Sequence, residues 1–341
     1  MKKIAASSVL VVLVILLVNF KGKDKVSGWN EDTNLQEVLS YLGAPKPLHY
    51  MENPSPEMVK MGRDLVWDGK TVGPNGSKST YVSKHFMCTS CHNMEIEDPN
   101  LRFSNPETRL DYAIEKDIPY LQGTTFYGMV NRETWYNDDY ILKYGDLVKP
   151  AHDNLREAIQ LCAKECSQGR PLEQWEEDAI LAYSWSLQYK MGDLNLNANN
   201  WKKLRTEAYD NNMHPQLVSW LKSFYLQKSP ATFVDAPANK DELIASTSGD
   251  VEKGKYLYEF SCRQCHHEDG ESMFTLDYSK LSFAKLKHNM AKENSFSIYE
   301  IVRHGTHPGM GHRPYMPHFT RERMSDKQID DLKAYIQQEA S

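Results

Sequence analysis

Two short stretches decide how this chain is read: Cys88-Thr89-Ser90-Cys91-His92 and Cys262-Arg263-Gln264-Cys265-His266. Both are C-x-x-C-H, the signature of c-type haem attachment. Two thiols three apart on a short helical turn can each form a thioether to one haem vinyl group. The adjacent histidine is then carried under the iron as proximal ligand. Redox-active or zinc-binding C-x-x-C pairs are the competing reading, and the histidine that follows directly in both copies argues against it. Cofactor-binding residues are therefore expected at Cys88, Cys91, His92, Cys262, Cys265 and His266, with two covalently attached haem c groups and His92 and His266 as metal ligands.

Each motif follows a helical pattern and precedes another. "NPSPEMVKMGRDLVWDG" (53–69) opens on Ser55 and Pro56, a good N-cap followed by a proline tolerated in the first turn. "DNLREAIQLCAKE" (153–165) has apolar residues at 155, 158, 159 and 162, the spacing of an amphipathic helix. "LEQWEEDAILAYSWSLQY" (172–189) is a further helix. From 94 to 150 the chain is rich in Pro, Asn and Tyr, with little helical periodicity. "KSPATFVDAPANKDE" (228–242) has the composition of a linker. The second copy runs from "SGDVEKGKYLYEFSCRQCHH" (248–267) to "MSDKQIDDLKAYIQQ" (324–338), capped by Ser325. The expected fold class is mainly α: two cytochrome c-type helical domains in tandem, preceded by an N-terminal transmembrane anchor. The expected boundaries are 1–22 for a signal or anchor and 45–192 for the first domain. A linker with a helix follows over 193–245, and the second domain spans 246–341.

The anchor is expected from Lys2 and Lys3 ahead of an apolar run from Ile4 to Phe20. No A-x-A-like cleavage site follows, and no cysteine lies before Cys88, which excludes lipoprotein processing. The run is near the short limit of roughly 17–25 residues for a spanning helix. A cleaved signal is the alternative. Cysteine chemistry of this kind happens outside the cytoplasm. The expected location is thus the inner (cytoplasmic) membrane, with the haem domains facing the periplasm. The 341 residues carry a formal charge of −6 and no basic stripe, so nucleic acid is not an expected partner.

Each iron needs a sixth ligand or a vacancy, and the identity of that ligand is a main control on potential. In the second domain Met316 stands between Tyr315 and Pro317, shortly before the closing helix. Its rivals are Met310, Met324, His304, His307, His312 and His318. The first domain has no such loop. Aligning the closing helices on Ala182-Tyr183 and Ala334-Tyr335 carries Met316 onto Lys164, which is flanked by Cys162 and Cys166. A thiolate ligand from this pair is expected, with Cys162 preferred because it lies on the apolar face with Leu155, Ala158 and Ile159. The alternatives are Cys166, Met129 or His152, a pair of packing thiols, or a disulfide. A disulfide four apart within a helix has awkward geometry unless the chain unwinds locally.

The stretch 155–187, "LREAIQLCAKECSQGRPLEQWEEDAILAYSWSL", resembles the helix, cysteine, short turn and helix of the SoxA and thiosulfate dehydrogenase cytochromes. The resemblance implies a dihaem periplasmic protein with a cysteine at the position of Cys162 on the first haem. The second domain resembles a class I cytochrome c, with its Met loop at Met316. Two departures stand out: the long interval from His92 to Cys162, with "GTTFYGMVNRETWYNDDYILKYG" (123–145) inside it, and the second cysteine, Cys166. Two functions are weighed. One is an electron carrier serving redox partner proteins, such as a respiratory complex or a soluble cytochrome or oxidase. The other is a thiosulfate dehydrogenase-type oxidoreductase with Cys162 as candidate catalytic residue. In that case Arg132, Arg156, Lys164 and Arg170 could meet a small sulfur dianion.

Overall fold

The computed structural model describes residues 25–290, 297–306 and 314–341. The described chain is built of short helices and turns. Its only β pairing among these residues is three isolated bridges, at Asn34 with Lys190, Val72 with Lys78 and Thr134 with Lys228. Contacts divide it into two units, 1–47 with 188–225, and 48–187 with 226–341.

In the smaller unit, helices Leu35–Tyr41, Ala198–Glu207 and His214–Lys222 surround buried Trp29, Leu35, Val38, Leu204, Leu217 and Leu221. Backbone bonds close it, from Leu35 N to Tyr189 O at 2.9 Å and from Met191 N to Thr33 O at 2.8 Å.

The larger unit holds both C-x-x-C-H motifs. Its helices are α1 (Pro56–Asp68), α2 (Pro106–Lys116), α3 (Asp138–Tyr144), α4 (Leu155–Leu161) and α5 (Gln174–Ser186). Then come a short helix, Lys240–Ala245, and α6 (Val251–Leu257), α7 (Arg263–His266), α8 (Lys280–Met290), α9 (Ile298–His304) and α10 (Asp326–Glu339). Ser55 caps α1 by accepting from the Met58 amide, with Pro56 in the first turn. Ser325 caps α10, and Gln328 returns the bond to the Ser325 amide.

An internal repeat organises this unit. Helix α1 crosses α5 where Gly62 meets Ala179. A β-carbon on Gly62 would lie 1.8 Å from the Ala179 carbonyl oxygen and 2.9 Å from Tyr183 Cβ. Helix α6 crosses α10 in the same way, where a β-carbon on Gly254 would lie 1.9 Å from Asp331 O and 2.9 Å from Tyr335 Cβ. Glycine is required at each crossing because the two backbones touch. The same register that pairs Tyr183 with Tyr335 pairs Ala179 with Asp331.

Two apolar cores follow the repeat. One gathers Leu65, Val66, Leu155, Ile159, Ile180 and Leu181. The other gathers Leu257, Tyr258, Phe283, Tyr299, Ile329 and Leu332, and also takes Leu110, Ala113, Ile118 and Tyr120 from the first half of the sequence. Helix α2, which the sequence reading left as irregular, supplies this bridge. Asn105 caps it by accepting from Glu107 N and Thr108 N, and Asp117 ends it in a left-handed conformation.

The expected architecture is corrected in one part. Among the described residues no helix is long and apolar enough to cross a membrane. The longest, α10, has 14 residues, against about 20 needed for a spanning helix. The expected anchor, 1–22, lies outside the described residues.

Candidate haem sites

The first motif lies on a tight turn. Cys88–Ser90 form one 3₁₀ turn, and the amides of Cys91 and His92 both donate to Cys88 O, at 3.2 and 3.0 Å. His92 Nδ1 stands 2.6 Å from Thr124 O. A carbonyl can only accept, so Nδ1 carries the proton and Nε2 keeps its lone pair. Burial lowers the His92 pKa, against the opposing pull of the Thr124 carbonyl, so the ring is neutral at neutral pH. A β-carbon on Gly123 would lie 2.6 Å from Cys91 O and from the His92 ring. Position 123 therefore has to be glycine for Thr124 to reach the imidazole.

The second motif repeats the device. A π turn, Tyr258–Cys262, runs into α7, and His266 Nδ1 stands 2.7 Å from Phe274 O. Burial lowers the His266 pKa as well. Burial pushes the Cys88 thiol to about 11 and the Cys262 and Cys265 thiols to about 12. Among the described residues no cluster of three or more His, Cys, Asp or Glu side chains could hold a metal ion.

A cavity of about 500 Å³ opens at the first motif, within the size range of cofactor pockets, roughly 300–1,000 Å³. Cys88, Cys91 and His92 line it with apolar Leu65, Val82, Phe86, Trp135, Leu155 and Ile159. Haem c fits here on two counts: an imidazole with Nε2 free at the wall, and an apolar chamber beside two thiols. His266 is held by an equivalent bond, Nδ1 to the Phe274 carbonyl, at the second motif. Cys262, Cys265 and His266 do not line this cavity.

Four candidate distal ligands meet in the one chamber: Cys162, Cys166, Met129 and Met316 all line it. His304 and His318 line it too, whereas Met324 is buried in the second core and His152 faces Asp138 at 3.5 Å. Met310, His307 and His312 lie outside the described residues. Cys162 and Cys166 interact closely enough to perturb one another's titration. That interaction and burial raise the Cys162 pKa, and the same interaction lowers that of Cys166. Both cysteines line the chamber, so Cys162, preferred from helical periodicity, and Cys166 stand as candidates for the first haem.

None of the four cations weighed for a sulfur dianion lines the chamber. Arg156 is paired with Glu177 at 2.6 Å and Asp178 at 2.7 Å, and Arg170 with Glu176. Lys164 is exposed. Arg132 is buried, with Nε and Nη1 unpaired by the protein. The arginine that does line the chamber, Arg323, is committed to Glu97 at 2.5 and 2.8 Å and to the Leu121 and Gly123 carbonyls.

The sequence reading missed three groups. Ser90 Oγ, inside the first motif, donates to Glu271, and Cys265 Sγ lies 4.0 Å from Ser90 O. The two motifs therefore touch. Tyr136 OH lies 3.7 Å from Cys166 Sγ. Glu97 with Arg323 and Arg109 forms a buried ion cluster behind His92. The glycine-containing block at 123–145 was the available signal for Thr124 and Tyr136. Nothing local marked Glu97 or Glu271.

Residues 249–336 match the family model described as Cytochrome C oxidase, cbb3-type, subunit III. This span contains CRQCH, Met316 and most of α10. It is similar to a c-type cytochrome domain, a class that carries covalently bound haem c and works in electron transfer. No curated protein and no solved structure matches the chain.

Proposed function

We propose that the chain is a dihaem c-type cytochrome that transfers electrons outside the cytoplasm, with haems held at Cys88, Cys91 and His92 and at Cys262, Cys265 and His266. The bound group would supply one-electron exchange at iron. The protein's part is to fix each imidazole by an Nδ1–H bond to a backbone carbonyl and to wall the site with apolar side chains. One observation carries the reading: the Cys265 sulfur is 4.0 Å from the Ser90 carbonyl of the other motif. Adjacent attachment points favour direct transfer between the two sites. A respiratory complex or a soluble cytochrome or oxidase is the partner class that fits a carrier. Pyridine haemochrome analysis should find two haems per chain, and a redox titration two one-electron steps. A single haem per chain would overturn the proposal.

The second reading is a thiosulfate dehydrogenase-type oxidoreductase. The thiol pair in the chamber of the first motif favours it, while the committed arginines weigh against it. Turnover of thiosulfate with an artificial acceptor would establish it, and its absence in haem-loaded protein would leave the carrier.

A further inference from the structure

The two cysteines outside the attachment motifs meet in an unusual turn. In an α turn the β-carbons of residues four apart stand about 5–6 Å apart, and a disulfide needs roughly 3.5–4.5 Å. Cys162–Cys166 is instead a π turn, in which the Ser167 amide reaches back to Cys162 O at 2.8 Å. The wider turn departs from the α geometry that holds the two β-carbons too far apart for a bond between the sulfurs. π turns are rare and occur often at functional sites. The end of the turn is held by bonds that do not involve sulfur: Ser83 Oγ to Ser167 O at 2.5 Å, and Arg170 N to Val82 O at 2.9 Å. Both cysteines are free and partly buried, and both line the chamber. The Tyr136 hydroxyl lies 3.7 Å from Cys166 Sγ.

We propose that Cys162 and Cys166 form a reversible dithiol–disulfide couple in the wall of the first chamber, with Tyr136 as a positioning residue for the reduced form. The oxidant is a low-molecular-weight disulfide. Cys166 gives up its proton, and its thiolate attacks the oxidant RSSR. A Cys166–S–S–R bond forms, and RS⁻ leaves and takes up the proton. Cys162 then gives up its proton and displaces the second RS⁻, which leaves as RSH. The ring closes between Cys162 and Cys166. The dithiol has lost two electrons and two protons, and RSSR has become two RSH. Closing the ring withdraws both sulfurs as ligands or nucleophiles in the chamber. Reduced thiol reverses each step.

The proposal goes beyond the electron-transfer reading and is tested separately from it, because haem per chain is counted on the same samples. Haem-loaded full-length protein is equilibrated in oxidised and reduced glutathione at a series of ratios, alkylated and digested with trypsin. Lys164 lies between the two cysteines, so trypsin separates them unless a disulfide joins the fragments. The expected result is joined fragments at oxidising ratios and two alkylated cysteines at reducing ratios. Cys162→Ser should trap Cys166 as its glutathione adduct. Tyr136→Phe removes a hydrogen bond from the dithiol form alone. It should shift the equilibrium toward disulfide by about tenfold, or about 30 mV. Thiols that stay fully alkylatable at every ratio, or wild-type protein that stops at glutathione adducts, would overturn the proposal. The wild-type titration decides even where a variant fails to fold.

Discussion

At the residue scale, the attachment histidines depend on backbone carbonyls supplied by distant chain. Gly123 brings Thr124 O to His92 because it lacks a β-carbon. Gly123→Ala is expected to push the imidazole off its bond and alter the absorption and EPR spectra of the first haem, while the second keeps its own. An unchanged spectrum would show that the contact has slack. The distal side is tested by replacing the two cysteines one at a time. Thiolate ligation predicts that Cys162→Met or Cys166→Met, but not both, abolishes a thiolate signature in near-infrared MCD. Loss in neither variant would assign the site to another residue of the chamber, with Met129→Leu as the next substitution. The motifs themselves were legible because C-x-x-C-H is local chemistry. The choice between the two sulfurs was not, because both stand on one π turn and both line the chamber.

At the element scale, stability centres on the two helix crossings. Gly62 and Gly254 let backbone meet backbone, and an added methyl would overlap a carbonyl oxygen at 1.8 or 1.9 Å. Gly62→Ala and Gly254→Ala are each expected to destabilise the larger unit by at least about 1–3 kcal/mol, the usual cost of overpacking. Thermal unfolding followed by circular dichroism measures this, and an unchanged midpoint would mean that the helices can separate without cost. Helices α1, α5, α6 and α10 were readable from caps and periodicity. Helix α2 was not, because it has only 11 residues inside a stretch rich in Pro and Asn. Its apolar face matches a core that forms mostly from residues beyond 250.

At the scale of the larger unit, a buried ion cluster joins the halves of the repeat. Glu97 accepts from Arg323 at 2.5 and 2.8 Å and from Thr125 N at 3.0 Å. Arg109, stacked 3.8 Å over Tyr120, donates to Arg323 O at 2.9 Å. Burial raises the Glu97 pKa, but the attraction of Arg323 and the bonds it makes prevail and hold it at about 2, below its ordinary 4.5. A carboxylate depressed in this way contributes stability that is fully present above its unfolded pKa. That stability is lost as pH falls through the folded value. Between pH 4.5 and about 2, wild-type protein is expected to lose roughly 3 kcal/mol from this group. Glu97→Gln should remove that part of the acid dependence, as urea unfolding at a series of pH values would show. Parallel curves for the two proteins would refute the assignment. Arg323→Met leaves Glu97 buried and uncompensated and should cost about 3–5 kcal/mol at neutral pH.

The sequence by itself determined the attachment motifs, the capped helices around them and the register of the repeat, down to Tyr183 against Tyr335. Those features rest on spacings of a few residues, where geometry follows from local bonding. Only the tertiary structure decided that the two motifs touch, that α2 packs into the second core, and that Glu97 meets Arg323. Ser90 and Glu271 lie 181 residues apart, and Glu97 and Arg323 lie 226 apart. No local pattern encodes such partners, because a buried carboxylate has the same neighbours in sequence whether or not an arginine arrives to neutralise it.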